Sequence, residues 1–142
     1  MKPQGTPIGL QLAHASKAVS RAFGDALAEA GGSVPMWLIL TSLMGESWSA
    51  QHHLARAMHI EGPTLTRHLD GLEDAGLVVR TREPHDRRAV RVELTDAGRT
   101  KHAELRQAVI AFNRRLTAGL GDTEIDELRG LLERLEQNVR SV

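Results

Sequence analysis

The apolar residues of this chain recur mostly at spacings of three and four, which is the period of an amphipathic helix. The first such stripe runs from Ile8 to Ala26 and ends before Gly31 and Gly32, because paired glycines break a helix. Ser33 can cap a second helix that has Pro35 in its first turn and is apolar nearly all round. The pattern therefore predicts an amphipathic helix followed by a buried central one.

Two short helices joined by a tight turn are predicted in the middle of the chain. Ser49 starts the first of them, and after a turn at residues 59–62 Pro63 opens the second, which Gly76 closes. The leucines of the second helix follow spacings of four and three and should pack inward. They are Leu65, Leu69 and Leu72. The other face of this helix is thereby left to polar residues.

A strand hairpin and two long helices complete the predicted elements. From Val90 to Leu94 apolar residues alternate with others, which predicts a half-buried strand, and Pro84 and Asp86 place the turn before it. Thr95 caps a long helix that runs to about residue 118. We therefore expect a mainly α fold of one domain, with residues 34–95 forming a winged helix-turn-helix and residues 5–31 and 96–142 forming dimerisation helices.

The last helix carries an apolar seam with heptad spacing. Its members, from Ile125 to Val142, are spaced 3, 4, 3, 4 and 3 residues apart, which is typical of helices that pack as a coiled coil. An ordinary core face is the alternative, but the terminal helices hold more apolar surface than the central module could cover. We predict a homodimer whose interface includes Leu12, Val19, Ile125, Leu128, Leu132, Leu135 and Val139.

Charge is distributed unevenly, although the chain is neutral overall with 18 basic and 18 acidic residues. Residues 80–91 contain five arginines and two acids, whereas residues 122–136 contain six acids and two arginines. A basic hairpin and an acidic final helix indicate that one end of the molecule faces a polyanion.

Composition and motifs exclude several classes of protein. The chain has no cysteine, so disulfides, thiolate metal sites and cysteine-based oxidation sensing are ruled out. No signal peptide or apolar stretch long enough to span a bilayer is recognisable, and we expect a soluble cytoplasmic protein. Adjacent His52 and His53 point about 100° apart on a helix and no metal-binding His spacing occurs. Without a phosphate loop or nucleophile elbow either, we predict no cofactor, no metal, no catalytic residue and no enzyme.

Helix, tight turn, second helix and basic hairpin form the layout of a winged helix-turn-helix, in which the second helix enters the DNA major groove. Arg87 and Arg88 at the hairpin tip fit phosphate and minor-groove contacts, although surface arginines also serve solubility. Thr64 and Arg67 suit base-edge contacts, although any surface helix has a polar face. The predicted DNA contacts are Ser49, Pro63, Thr64, Thr66, Arg67, His68, Arg82, Asp86, Arg87 and Arg88.

The run from Leu54 to Gly98 resembles the MarR family of bacterial transcription regulators, and within it the SlyA-like branch. The resemblance rests on a combination of features: the recognition helix, its exit LDGLEDAGLV, the wing tip DRR and the helix start LTDAG. It implies a winged-helix homodimer that represses transcription at a pseudo-palindromic site in double-stranded DNA, in the bacterial cytoplasm at the nucleoid. By matching positions, Pro63, Thr64 and Arg67 would approach the major groove, and a wing arginine held by Asp86 would enter the minor groove.

The resemblance also implies control by a small aromatic or phenolic ligand, because the cysteines of oxidation-sensing members are absent and the histidines of zinc-responsive members have no clear counterpart. We place this ligand at a junction lined by His14, Met36, Trp37 and Leu40, although core packing is the simpler interpretation of Trp37. Two alternatives stay open. One is a winged-helix module that binds protein, which should lack a basic wing, and the other is a metal-responsive regulator of the same fold.

Overall fold

The computed structural model describes residues 5–46 and 49–140, and for Ser49, Arg87 and Arg88 it describes only the backbone. Within these residues helices dominate and three strands form one small sheet, so the predicted class, mainly α with a β-hairpin wing, is confirmed. The elements in chain order are α1 (Ile8–Glu29), α2 (Val34–Gly45), β1 (Ser49–Ala50), α3 (Gln51–Met58), α4 (Gly62–Asp74), β2 (Val78–Glu83), β3 (Asp86–Leu94), α5 (Asp96–Leu116) and α6 (Asp122–Arg140).

The boundary between α1 and α2 follows the predicted signals. Gly31 has a φ of +82°, which favours glycine, and it follows Ala30, the C-cap residue of α1. The side chain of Ser33 caps α2, since its Oγ accepts a hydrogen bond from the Met36 amide at 3.3 Å. Pro35 lies in the first turn, where its missing N–H costs nothing. The end of α1 and the start of α2 therefore agree with the sequence prediction.

The sheet contains one strand more than the predicted hairpin, and this strand corrects the prediction for Ser49. The strand order is β1-β3-β2, and Ser49 pairs with Val92 in β1, so α3 begins at Gln51 and not at Ser49. β3 lies between the other two strands because its second edge bonds the backbone of Ser49 and Ala50. The pairing joins residues more than 40 apart in the chain, which a local capping pattern does not reveal.

A leucine-rich core holds the winged-helix elements together. Its fully buried leucines and valines come from helices α1, α2, α4 and α5 and from strands β2 and β3, and each contributes about 1.5–3 kcal/mol on burial. The core members are Leu27, Ile39, Leu40, Leu43, Leu54, Leu65, Leu69, Leu72, Leu77, Val78, Val92, Leu94 and Leu105. The inward-facing leucines that the sequence predicted on α4 are thereby confirmed.

The hairpin is fixed at its base to the helices on either side. The Thr95 hydroxyl donates to the carbonyl of Gly76 at 2.6 Å and accepts from the amide of Gly98 at 3.0 Å. A Cβ at Gly98 would lie 2.1 Å from the carbonyl oxygen of Leu77, so only glycine fits this close approach. The end of α4 and the start of α5 are therefore locked together beneath the hairpin.

The chain divides into two compact units, Met1–Ile110 and Ala111–Val142. In the second unit Phe112 is buried, with the guanidinium of Arg115 5.7 Å from its ring centre, while α6 has no buried residue within the part described. No single helix among the described residues is long and apolar enough to cross a membrane; α1 and α2 meet that test only when taken together, and they are bent by 75° at their junction.

Candidate nucleic-acid interface

Helix α4 has an outward face that carries most of the predicted groove contacts. Pro63 and Arg67 are exposed, while Thr64 and His68 are partly exposed. These residues lie away from the buried leucines of the same helix, because positions 64, 67, 68 and 71 share one side at 100° per residue. The structure therefore brings Pro63, Thr64, Arg67 and His68 together on one accessible face.

Thr66 lies on a different face of α4. Its hydroxyl accepts a hydrogen bond from Nε2 of Gln51 at 2.7 Å and donates to the carbonyl of Gly62 at 3.0 Å. Gln51 is the first residue of α3, so the contact ties the start of α3 to the first turns of α4. Thr66 is only partly exposed, and its hydroxyl already has two partners within the protein.

Two acidic residues continue the Thr66 face of α4 toward the hairpin. Asp70 and Glu73 follow Thr66 at spacings of four and three, so the three residues form one polar stripe beside the leucine stripe. Arg80 of β2 reaches across to both acids: its Nη2 donates to Asp70 Oδ1 at 2.5 Å and to Glu73 Oε1 at 3.3 Å. The stripe therefore faces the wing.

The pairing shifts the protonation equilibria of Arg80 and Glu73. Burial disfavours the charge on Arg80, but its hydrogen bonds to Glu73 and Asp70 outweigh this and raise its pKa. The side-chain and then the backbone hydrogen bonds from Arg80 lower the pKa of Glu73. Arg80 and Glu73 are therefore held in their charged forms.

Some charged side chains of the hairpin are paired within the protein, and others are exposed. Arg91 lies 3.3 Å from Glu93 and Arg80 is bound to the two acids of α4, whereas Arg82 and Asp86 are exposed. β3 begins at Asp86 after the turn at residues 84–85, and the backbones of residues 87 and 88 come next in the strand. The side chains of these two residues lie outside the described part, as does that of Ser49. The local excess of arginine therefore overstates the cationic surface that the hairpin offers.

A groove of about 400 Å³ separates the wing-facing stripe from the hairpin. It is lined by Gln51, Thr66, Glu73, Arg80, Thr81, Arg82 and Val90. A second cavity of about 270 Å³ lies between the start of α2 and the outward face of α4, where Ser33 and Met36 approach Arg67 and His68. Both concavities border the face that the sequence assigns to DNA.

The four predicted ligand residues occupy different environments. Met36 lines the second cavity, Leu40 is fully buried, and His14 is exposed on α1. Trp37 is partly buried and stacks on His102, with ring centroids 5.0 Å apart and an interplanar angle of 8°. Among the described residues no hydrogen bond or ring contact joins His14 to α2, so the ligand site stays a prediction.

His102 is buried although it is polar. Burial, and after it the positive charge of Arg106, lowers its pKa. No role was predicted for His102 from the sequence. A helical spacing that puts position 102 on the same side of α5 as the buried Leu105 was the available signal.

Within residues 5–46 and 49–140, no group of three histidine or acidic side chains is close enough to hold a metal ion. The sequence predicts that His52 and His53 point in directions about 100° apart on a helix. In the structure their rings nevertheless meet edge to face, with centroids 4.1 Å apart. The roles of Gln51, Asp70 and Glu73 were not predicted from the sequence. The four-and-three spacing of 66, 70 and 73 could have revealed the stripe, but its partners are set by tertiary contacts.

Known proteins resemble the chain over most of its length. A model of the MarR family matches residues 33–90. A mutant of MarR from E. coli complexed with operator DNA superposes with a TM-score of 0.80 at 25% identity, covering 91% of this chain and 93% of that one. A probable transcriptional regulator from Pseudomonas aeruginosa is 30% identical, with a TM-score of 0.78 and coverage of 90% and 96%. CouR from Rhodococcus jostii RHA1 bound to p-coumaroyl-CoA is 29% identical, with a TM-score of 0.75 and 90% coverage of both chains.

Proposed function

We propose that this chain, which belongs to the MarR family, is a homodimeric repressor of transcription that reads a pseudo-palindromic operator. The observation that carries the proposal is the outward face of α4, where Pro63, Thr64, Arg67 and His68 stand together beside a hairpin with an exposed Arg82. Regulators of this family bind nucleic acid and are not enzymes, which agrees with the function predicted from the sequence. Within the family we place the chain in the SlyA-like branch on the resemblance of residues 54–98.

Major-groove reading is assigned to the outward face of α4. An exposed arginine such as Arg67 can donate two hydrogen bonds to O6 and N7 of guanine, while the Thr64 hydroxyl can serve a base edge or a phosphate. Thr66, although predicted as a contact, is engaged by Gln51, and we assign it to holding α4 in place. The positive end of the α4 dipole at Gly62 adds attraction for a phosphate.

The hairpin is assigned to the backbone and the minor groove. Arg82 is exposed on β2, and the sequence puts Arg87 and Arg88 next to the turn, where a wing reaches furthest from the body of the protein. Such contacts position the protein on the duplex, while the base edges touched by α4 supply the sequence preference.

Dimerisation is assigned to the terminal helices. On α6 the exposed fractions of Leu128, Leu132 and Leu135 lie between 38% and 46%, and on α1 that of Leu12 is 40%. Apolar stripes of this length are rarely left open to water, and a second copy of the same stripe would cover them. A two-fold dimer would place two recognition helices about 34–36 Å apart on successive turns of DNA. The MarR relative complexed with operator DNA supports the DNA-binding part of this arrangement.

Release by a small aromatic ligand completes the proposed function. CouR binds p-coumaroyl-CoA, which contains a phenolic group, and that complex supports an aromatic effector for this chain. The predicted ligand residues His14, Met36, Trp37 and Leu40 remain our candidates for its site. A ligand that favours dimers with the wrong helix spacing would release DNA, because such dimers engage one groove at a time. The protein would act in the bacterial cytoplasm at the nucleoid.

Selection of binding sites from random DNA tests the proposal. We expect enriched sequences to contain an inverted repeat with half-site centres about one helical turn apart. Arg67→Ala should lose the preference at one position in each half-site, at a cost of about 1–3 kcal/mol, and because of the symmetry the loss appears twice per operator. Arg99→Ala, which removes an exposed arginine of α5, serves as the control and should select the wild-type sequence. Enriched sequences without an inverted repeat would contradict the paired-groove model.

A further inference from the structure

We propose that Arg80 is a positioning residue that holds the wing against the recognition helix, and that it does not itself contact DNA. The inference rests on the proposed function, in which α4 and the hairpin engage one duplex together. It reassigns an arginine that composition alone counts among the DNA-facing charges. It also identifies Asp70 and Glu73 as the anchor points for the wing on α4.

The contacts of Arg80 leave little of it for a phosphate. The side chain is 18% exposed, and its guanidinium donates from Nε to Glu73 Oε2 at 3.4 Å as well as from Nη2 to both acids. A planar guanidinium suits two carboxylates because its donors point in fixed directions. Three of the five guanidinium N–H donors are directed at these carboxylates, which leaves only those on Nη1 outside the contacts.

Glu73 also binds the backbone of the wing. The Arg80 amide donates to Glu73 Oε2 at 3.1 Å. β2 is an edge strand in the described part of the chain, so the outward-facing amides on that edge have no partner strand there. A carboxylate of α4 takes the place of the missing strand at this position. Backbone and side chain of the same residue are therefore fixed to α4, which limits both sliding and rotation of the hairpin.

The wing-facing stripe is held at a second point. Gln51 of α3 binds Thr66 near the start of α4, while Arg80 binds the stripe four and seven residues further along. The two contacts come from different elements and flank the groove between α4 and the hairpin. Their spacing fixes which side of α4 is turned outward, and hence the direction in which Arg67 points.

Neutralisation is the second effect of Arg80. Asp70 and Glu73 have exposed fractions of 58% and 42%, and both lie on the helix that is to enter the major groove. Unpaired carboxylates so close to phosphates would oppose binding. One arginine held between them cancels part of this repulsion while it fixes the geometry. Loss of Arg80 should therefore weaken binding without removing a phosphate contact.

The positioning role is tested first in the free protein. The chain has no cysteine, so Asp74→Cys and Thr81→Cys introduce the only two sites for nitroxide spin labels, one on α4 and one on β2, both at exposed positions. We expect dipolar coupling between the labels to report a narrow distance distribution that broadens with Arg80→Gln. Arg82→Gln, two residues along the same strand, is the matched control and should leave the distribution narrow.

The same variants are then compared on operator DNA. Arg80→Gln should weaken binding on the order of tenfold. In the variant the hairpin is no longer fixed to α4 before binding, so it must be ordered when DNA binds. Its slope of log K against log salt should match the wild type, whereas Arg82→Gln should make that slope shallower by about 0.9, as for one lost phosphate contact. Arg80→Lys, which can pair with one acid but not bridge both, should broaden the distance distribution partially and guard against a folding defect in Arg80→Gln.

Two results would overturn the positioning role. The first is a label distance distribution that stays as narrow in Arg80→Gln as in the wild type. The second is a salt slope that becomes shallower by about 0.9 in Arg80→Gln and is restored in full by Arg80→Lys. Failure of the proposed function has a different signature. In that case the wild type binds no selected DNA sequence, while the label distances still report whether Arg80 holds the wing.

Discussion

Helices α4 and α6 have the same apolar spacing but opposite surroundings. Leu65 and Leu69 of α4 are completely buried, whereas Leu128 of α6 is 46% exposed and Val139 74% exposed. A stripe at spacings of three and four thus shows that a helix needs a covered face, and it does not show what covers it. In α4 the cover is the core of the same chain; for α6 we propose a second chain.

The largest expected effect comes from charging these two stripes. Leu69→Asp should unfold the winged-helix unit, because a buried unpaired carboxylate costs several kcal/mol. Leu128→Asp combined with Leu135→Asp should instead give a folded monomer that unfolds more easily and has lost specific DNA binding, at a cost of about 10³-fold or more in affinity. Light scattering, circular dichroism and DNA titration measure the three properties.

The matched control for the α6 variant is Arg134→Asp, which introduces the same side chain on the side of the helix away from the seam. It should remain dimeric and bind DNA. A wild-type protein that scatters as a monomer at micromolar concentration, or a double variant that stays dimeric, would show that α6 is covered in some other way.

Much of the fold could be predicted because its signals are local. Ser33 and Pro35 mark the start of α2 through contacts within four residues, and Gly31 ends the preceding helix region by its own backbone preference. Ser49 was wrongly assigned to a helix start, because its strand pairing with Val92 depends on a hairpin formed much later in the chain. Local patterns predict elements, and long-range pairing decides their ends.

The candidate site also contains features that local sequence patterns predict and features that only long-range contacts reveal. Arg67 could be placed on the outward face of α4 from its spacing to the leucines, but Arg80 could not be separated from the DNA-facing arginines. Both residues have the same side chain, and only the contacts of Arg80 with Asp70 and Glu73 distinguish them. Charge counts along a sequence therefore overestimate a binding surface wherever acids on another element neutralise part of it.

A second prediction contrasts arginines within the hairpin. Arg87→Ala or Arg88→Ala should weaken binding to every DNA sequence and make the slope of log K against log salt shallower by roughly 0.9 per lost contact. Arg91→Ala, whose guanidinium lies 3.3 Å from Glu93, should leave the slope near that of the wild type. The measurement is a salt titration on operator and unrelated DNA. Unchanged slopes and affinities for both tip variants would show that the wing does not contact DNA.

The smallest effect separates a buried histidine from an exposed one. His102 is 9% exposed and stacks on Trp37, whereas His14 is exposed on α1. Burial and the nearby Arg106 lower the pKa of His102 below its ordinary value of 6.5. The neutral ring therefore contributes its full stabilisation above about pH 6.5, and this contribution is lost as the pH falls below that value toward the lower pKa of the folded state.

The expected outcome is a difference in pH dependence and not in stability at neutral pH alone. Between about pH 7.5 and pH 5.5 the urea midpoint of the wild type should fall further than that of His102→Phe, which keeps a ring against Trp37 but cannot take up a proton. His14→Phe, which changes an exposed residue of α1 away from this stack, is the matched control and should retain the wild-type dependence. Parallel curves for the wild type and His102→Phe would mean that the stack between α2 and α5 accepts the charged ring without cost. In that case burial would give His102 a packing role that His14 lacks, but no effect on the pH dependence of stability. The contrast between covered and open helix faces would then hold for apolar side chains and not for His102.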